Sequence, residues 1–189
     1  IKKVNPNQML TDDVSTVLAS NDRNEVHQYD QSRTALFFAV KNENPDMLRA
    51  VLVAGGNPNS PVQFRVSENK PKQALQYVCF ELEPKKVLDL LDAGAQANFK
   101  DEDGNTALHW LGKIPDAFDF RGDVVKKIVR ALIRYGLNVD EQNGFGETAL
   151  HLVMKKKNYK FSKFLVDDLN ANLDLMDNDG VKPWDYYGD

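Results

Sequence analysis

Two histidines stand at matching positions of two similar segments, Thr106-Ala107-Leu108-His109 and Thr148-Ala149-Leu150-His151. Imidazoles can bind zinc or move protons near neutral pH. A zinc site needs paired ligand spacing, however, and the chain holds only 3 histidines and 1 cysteine without such pairing. A threonine at a helix start accepts from free backbone N–H groups. The pattern therefore favours a structural role, in which the threonine caps a helix and the histidine ties one turn to its neighbour.

The single cysteine, Cys79, lies in the apolar run Tyr77-Val78-Cys79-Phe80. A cysteine nucleophile needs a lowered pKa and a nearby base, and nothing in the local sequence supplies either. We expect a buried thiol that packs as a small apolar group. One thiol cannot form an internal disulfide, which favours a reducing compartment.

Two acidic turns, 101–105 and 177–180, superficially resemble calcium loops. An EF-hand loop needs an Asp five residues before its central Gly. Counting back five residues from Gly104 reaches Phe99, and the second turn fails in the same way. No phosphate-binding glycine loop is present either. The sequence predicts no metal, no cofactor and no catalytic residue, and so no enzyme.

The composition is that of a globular domain, with 42% apolar and 28% charged residues among 189. The net charge of −4 argues against wholesale binding to nucleic acid or anionic lipid. No apolar stretch approaches the ~20 residues that span a bilayer. The densest basic segment runs from Lys155 to Lys163. It is either a solvated helix face or a contact for an acidic partner.

A repeat with uneven spacing runs through the chain. An alanine or proline at a common position recurs at Ala35, Ala74, Ala107, Ala149 and Pro183, at intervals of 39, 33, 42 and 34 residues. Relative to a period of about 33 residues, two units need insertions. We place the enlarged loops at residues 60–72 and 113–123. Such loops can serve binding or can simply be tolerated, because added loop length costs little.

A second landmark accompanies the first: two apolar residues, then Gly or Asn, then Asn or Asp. Glycine after an apolar helical run typically ends the helix in the left-handed conformation. Each unit is therefore predicted to contain two helices, as in Thr106–Lys113 followed by Val124–Tyr135. The second helix carries apolar residues at steps of three and four, which stacked neighbours can bury.

These motifs, clearest in 103–109 and 146–151, resemble the ankyrin repeat family over roughly residues 30 to 189. The resemblance implies an all-α solenoid of helix-turn-helix units, with about four full repeats and partial capping repeats at both ends. The single domain, 1–189, is expected to divide into an N-terminal partial cap at 1–29, repeat 1 at 30–69, repeat 2 at 70–102, repeat 3 at 103–144, repeat 4 at 145–178 and a C-terminal partial repeat at 179–189.

Some residues depart from the family pattern. In the second unit Gln73 and Gln76 replace Thr and His, so its first helix should lack the usual cap. Trp110 and Trp184 fill apolar positions and are predicted to be core residues. Phe80 and Phe145, by contrast, are predicted on the binding side of the array, because Phe80 lies late in its helix and Phe145 in a turn.

The resemblance implies a protein-binding groove formed by the turn tips and the first helices. Exposed aromatic and charged side chains there could act as hot spots for another protein. The chain is expected to be monomeric and cytoplasmic, without nucleic-acid, membrane or metal partners. The residues assigned to the groove are Arg33, Lys41, Lys70, Lys72, Phe80, Glu81, Glu102, Asp103, Asn105, Lys113, Ile114, Phe145, Glu147, Lys155 and Lys156.

An alternative hypothesis is that the array is the substrate-targeting segment of a larger multidomain enzyme or a secreted bacterial effector. Lys outnumbers Arg by 17 to 7 and there are 17 Asn, a bias common in AT-rich genomes. With irregular units, this composition resembles effectors that intracellular bacteria deliver into the cytosol of a host cell.

Overall fold

The protein is a stack of helix pairs. A computed structural model describes residues 35–62, 73–115 and 117–187. Within these ranges the backbone forms eight α-helices and a terminal 3₁₀ turn, with no strand beyond one isolated bridge between Pro61 and Gln73. The helices are α1 (Ala35–Lys41), α2 (Pro45–Val53), α3 (Ala74–Phe80), α4 (Pro84–Asp92), α5 (Ala107–Gly112), α6 (Ala117–Arg134), α7 (Ala149–Lys155) and α8 (Tyr159–Lys163), and the 3₁₀ turn is Pro183–Tyr187.

Two parallel rows of helices build the core. The first helices α1, α3, α5 and α7 contact one another in order, and the second helices α2, α4, α6 and α8 do the same. Ala74, Ala107 and Ala149 are at most 1% exposed, and their small side chains allow adjacent first helices to approach closely. The predicted all-α solenoid is confirmed. The predicted N-terminal partial cap at 1–29 lies outside the described residues, and so does most of the enlarged loop predicted at 60–72.

The predicted helix ends are also confirmed. Gly55, Gly94 and Gly136 follow second helices with φ between +91° and +92°, where a Cβ would be strained. The fourth unit uses Asn170 with φ of +54°, and its second helix ends in a π-helical turn, Phe164–Asp168. This turn accommodates the one extra residue of that unit without breaking the stack.

The predicted loop at 113–123 is largely wrong. Helix α6 begins at Ala117, well before the expected start at Val124, and continues to Arg134. Its backbone breaks only at Arg121 (φ −135°, ψ 32°), beside Gly122. Pro115 lies two residues before the first helical residue, Ala117, so it removes no hydrogen bond from the helix interior. The insertion therefore lengthens a helix that breaks beside Gly122, and does not form an enlarged loop.

The inter-unit turns at 101–105, 143–147 and 177–181 are each shaped by one side chain. Asp101 Oδ1 accepts from the backbone N–H of Asp103 (3.1 Å) and of Asn105 (2.7 Å). Asn143 and Asp177 make the same pair of bonds at the same offsets, with distances of 2.9 to 3.0 Å. A side-chain acceptor of this kind replaces a backbone partner and stabilises the tight turn. The acidic residues that resemble calcium ligands thus serve as acceptors for their own backbone.

Neighbouring turns are bonded to each other. The backbone N–H of Gly144 donates to Asp103 O (2.8 Å), and that of Asn178 donates to Phe145 O (3.0 Å). Asn143 Nδ2 also donates to Asn105 Oδ1 (3.1 Å) in a buried contact. These bonds set the distance and rotation between consecutive units at their turn ends.

The two histidines link each first helix to the following turn. His109 Nδ1 accepts from the backbone N–H of Thr106 (3.1 Å), and His109 Nε2–H donates to Glu147 O (2.9 Å). His151 repeats this with Thr148 (2.9 Å) and Val181 O (3.2 Å). The predicted structural role is confirmed. Both bonds require the neutral ring, and burial lowers the pKa of each histidine below its usual value of 6.5.

Glutamine performs the same inter-unit task in the second unit. Gln76 occupies the histidine position, is 1% exposed, and donates from Nε2 to Asn105 O (2.8 Å). Gln73 makes no side-chain cap, as predicted. The departure from the Thr–His pattern therefore loses a cap but retains the bond to the next turn.

A second row of bonds lies beside the second helices. Asn59 Nδ2 donates to Gly94 O (3.1 Å), and Asn98 Nδ2 donates to Gly136 O (2.7 Å). In the next unit Asp140 accepts from Asn172 N (2.8 Å). The Asn or Asp of the second sequence landmark thus fastens each unit to the next.

Three further predictions can be compared with the structure. Trp110 is 5% exposed and Cys79 is fully buried, as expected, and burial raises the pKa of the Cys79 thiol. Trp184 is 55% exposed, so its assignment to the core is wrong. No further helix pair among the described residues covers that side of the terminal turn. Within the same residues, no helix is long and apolar enough to span a bilayer.

We predict that Gly104→Ala destabilises the fold more than Gly180→Ala. Both glycines have φ of +78° at the same turn position, so each alanine incurs about 1–2 kcal/mol of left-handed strain. A Cβ on Gly104 would also lie 2.6 Å from Gly144 N, whereas a Cβ on Gly180 meets nothing within 4 Å. Urea denaturation of both variants measures the difference. Equal losses of stability would show that the turn contact does not hold the units together.

We also predict that the stability falls as pH decreases from about 7.5 to 5.5. The unfolded chain binds protons at His109 and His151, whereas the folded chain excludes them because burial lowers both pKa values. The unfolding free energy therefore decreases as the pH falls, by at most about 1.4 kcal/mol per pH unit for each excluded proton. His109→Gln should flatten the profile, because Gln76 shows that glutamine can make the inter-unit bond without titrating. Denaturation curves across this pH range test both points, and an unchanged slope in the variant would contradict them.

Candidate functional site

One face of the array combines turn tips with first-helix ends. We call it the turn face and define it by the turns 101–105, 143–147 and 177–181 together with the C-terminal residues of α1, α3, α5 and α7. Contacts join these parts into a continuous surface. For example, Trp110 Nε1 on α5 donates to Asp101 Oδ2 in the turn before it (2.8 Å). The hydrogen bonds that join neighbouring turns in the stack also fix the backbone of the turn face.

An aromatic pair supports the middle of the turn face. The Phe80 and Trp110 rings meet edge to face with centroids 5.9 Å apart. Lys113 Nζ lies 4.4 Å from the Trp110 ring centroid, within cation–π distance. Phe80 is consequently half-buried, and much of its ring supports Trp110. The Lys113 ammonium therefore packs on the Trp110 ring, which the Phe80 ring contacts in turn.

A carboxylate pairs with the corresponding lysine in the fourth unit. Lys155 Nζ lies 2.6 Å from Glu147 Oε1 and 4.4 Å from the Tyr186 ring centroid. Burial opposes the charge of Glu147, but hydrogen bonds from Lys155 and Asn143 hold the pKa of Glu147 below its usual range. Burial likewise disfavours the Lys155 ammonium, yet bonding to Glu147 keeps the pKa of Lys155 above its usual range. Lys155 is therefore neutralised within its own unit.

The outermost part of the turn face is Phe145, which is 60% exposed at the tip of its turn. Its backbone is nevertheless fixed, since its N–H donates to Asn143 Oδ1 (2.9 Å) and its carbonyl accepts from Asn178 N (3.0 Å). An exposed aromatic on a rigid turn loses little conformational entropy when it is buried against a partner. Phe145 is the one large exposed apolar side chain in the turns 101–105, 143–147 and 177–181.

Most of the predicted groove residues that the structure describes are exposed on the turn face or half-buried within it. Arg33, Lys70 and Lys72 lie outside the described residues. The exposed ones are Lys41, Glu81, Glu102, Asp103, Phe145, Lys155 and Lys156, and the half-buried ones are Phe80, Lys113, Ile114 and Glu147.

Asn105 is the exception and is corrected here. It is 0% exposed, its side chain bonds Asn143, and its carbonyl accepts from Gln76. Asn105 lies two residues after the turn tip, and its side chain is directed into the stack, towards Asn143. Asn105 thus belongs to the scaffold and cannot contact a partner directly.

Two features of the turn face escaped sequence reasoning. Lys157 is exposed beside Lys156 with φ of +55°, which turns the chain sharply at the end of α7. Tyr186 OH donates to Asp177 Oδ2 (2.8 Å), as Trp110 Nε1 does to Asp101. The signal for the second feature was available, because each aromatic follows its turn aspartate by nine residues.

Comparison with known proteins agrees with this geometry. The family model described as ankyrin repeats (many copies) matches residues 125–166, from within α6 to the π-helical turn. The chain contains ankyrin repeats. It is 35% identical over 83 residues to the ankyrin repeat domain-containing protein SOWAHB of Xenopus laevis, and equally to the protein of that name from Homo sapiens. The matched stretch covers 44% of this chain and 10% of each relative.

Ankyrin repeats generally act as protein-interaction modules and not as catalysts. The imidazoles of His109 and His151 are occupied by inter-unit bonds. Among the described residues, no three His, Cys, Asp or Glu side chains converge as a metal site requires. The ankyrin array presents charge and apolar surface on a rigid backbone.

We predict that truncating Phe145 and truncating Trp110 to alanine have very different effects on the unfolding free energy. Phe145→Ala should change the unfolding free energy by no more than about 0.5 kcal/mol, because the ring is 60% exposed. Trp110→Ala should cost about 3–5 kcal/mol, because it removes a ring that is 5% exposed. Thermal and urea denaturation measure both changes. A large loss for Phe145→Ala would assign that ring to the fold.

Proposed function

We propose that this ankyrin array binds another protein through the turn face. The observation that carries the proposal is Phe145, an aromatic that is 60% exposed on a turn whose backbone is bonded on both sides. Aromatic side chains presented in this way are typical binding hot spots. Lys113 and Lys156 lie on the ends of α5 and α7, on the same face.

Rigidity supports the proposal. The turn aspartates and asparagine, the inter-turn bonds and the buried histidines order the turn face before any partner arrives. Association then costs little ordering of the binding surface, so more of the contact energy appears as affinity. Mixed charges on the face favour a polar interface whose strength depends on salt.

The outer face of the second helices offers a comparison surface. Val53 is 82% exposed at the end of α2, and Lys127 is exposed on α6. Val53 also lines a groove between α2 and α4 together with Arg49, Asp89 and Asp92. This face carries apolar and basic residues like the turn face, but they are not supported by the turn network. It supplies a control for surface exposure and charge.

The test is affinity capture from a eukaryotic cell lysate with quantitative mass spectrometry. The variant Phe145→Ala/Lys156→Glu removes the anchor and reverses one charge without touching the Phe80–Trp110 or Lys155–Glu147 contacts. The matched control Val53→Ala/Lys127→Glu makes the same kinds of change on the outer face. We expect one or more proteins to be retained by the native chain and the control, and lost by the turn-face variant while it remains folded.

Two outcomes would contradict this proposal. One is a set of captured proteins that the turn-face variant retains at the native level. The other is a loss caused by the control variant instead, which would move the binding surface to the second helices.

A further inference from the structure

A row of equivalent positions crosses the turn face at the ends of the first helices. The residue six positions after the repeat alanine is Lys41, Phe80, Lys113 and Lys155 in the successive units. Three of the four are lysines, and each ammonium lies against a ring: Lys41 over Phe37 (5.4 Å), Lys113 over Trp110 (4.4 Å) and Lys155 over Tyr186 (4.4 Å). The three lysines of this row are thus each positioned by a contact with an aromatic ring of the array.

The lysine at this position is paired with a carboxylate in the fourth unit but not in the third. Lys155 is paired with Glu147, which lies eight residues before it (2.6 Å). The residue eight before Lys113 is Asn105, which is neutral and buried. No described carboxylate forms an ion pair with Lys113. Lys156 and Lys157 are both exposed, and neither forms an ion pair with a described carboxylate.

We infer that the turn face of the third and fourth units binds an acidic peptide segment of the partner protein, one that carries a large apolar side chain among aspartates or glutamates. This inference rests on the proposed protein-binding function and specifies its ligand. Lys113, Lys156 and Lys157 supply three positive charges that no described carboxylate pairs with, in a chain whose net charge is −4. Phe145, 60% exposed on the turn of the fourth unit, supplies the apolar contact on the same turn face.

Charge and solvation favour this occupant. The Lys113 ammonium is already oriented by Trp110, so pairing it with a carboxylate requires little further loss of side-chain entropy. Lys156 and Lys157 lie at the carboxyl end of α7, where the chain turns with φ of +55° at Lys157. An extended peptide with several acidic residues can pair successive carboxylates with these lysines. Complementary charges of this kind increase the association rate and select the partner.

A nucleic acid fits the same surface less well. Glu102 and Asp103 are exposed at the tip of the neighbouring turn, where a continuous phosphate backbone would meet negative charge. Binding through phosphates depends on many cations along a track. A peptide can place neutral or basic residues opposite Glu102 and Asp103 and acidic residues opposite the lysines.

The test is a selection with a random-sequence peptide library displayed on phage, using the full chain as bait. The recovered peptides are then measured by fluorescence anisotropy against Lys113→Glu/Lys156→Glu and against the matched control Lys127→Glu/Arg134→Glu. The two double variants change the net charge equally, but the control reverses exposed cations on α6. A single-stranded oligothymidylate is measured in parallel.

We expect enriched peptides with net negative charge and at least one large apolar residue. Their affinity should fall by at least about tenfold in the turn-face variant, remain within about twofold of native in the control, and weaken with added salt. Peptides of neutral or basic composition that still depend on the turn face would overturn the acidic ligand and leave the protein-binding proposal standing. Equal or tighter binding of the oligothymidylate, or no enriched peptide, would also overturn the acidic-segment inference. Acidic peptides that the control variant loses and the turn-face variant keeps would overturn both the ligand and the location.

Discussion

The turn-to-turn contact is the constraint on which the rest of this structure depends. A helix pair of this size cannot bury its apolar residues alone, so each unit must be placed accurately on the next. Asp101, Asn143 and Asp177 shape their turns by accepting two backbone N–H groups each. The shaped turns then bond through Gly144 N and Asp103 O. Close approach of two backbones leaves no room for a Cβ on Gly104.

The stack accepts variation wherever this contact is preserved. Gln76 replaces a histidine because an amide N–H reaches the same carbonyl in the next turn. One added residue in the fourth unit becomes a π-helical turn at Phe164–Asp168, and a longer insertion becomes extra helix with a break at Arg121. The two insertions lie in the second helices, away from the turns. Stacked repeats tolerate such changes because each unit contacts only its neighbours.

Stability and binding draw on different atoms of the same segments. In the turn 143–147 the Asn143 side chain and the backbone build the scaffold, while the Phe145 ring points outward and remains 60% exposed. Glu147 divides its groups in the same way: its backbone carbonyl accepts from His109 and holds the stack, whereas its side-chain carboxylate neutralises Lys155. The charge available for a partner is therefore decided by which lysines the scaffold leaves unpaired.

The sequence alone was sufficient for the repeat, the helix pairs, the glycine caps and the structural role of the histidines. These follow from local chemistry, since capping, left-handed glycine and apolar periodicity act within a few residues. Other features depended on contacts between units. Asn105 was predicted at the surface but is buried against Asn143, and Trp184 was predicted in the core but is exposed. Lys155 pairs with Glu147, whereas Lys113 pairs with no carboxylate in the part of the chain that the structure describes. Position within a repeat predicts a backbone location, but only the neighbouring unit decides whether a side chain there is covered or paired.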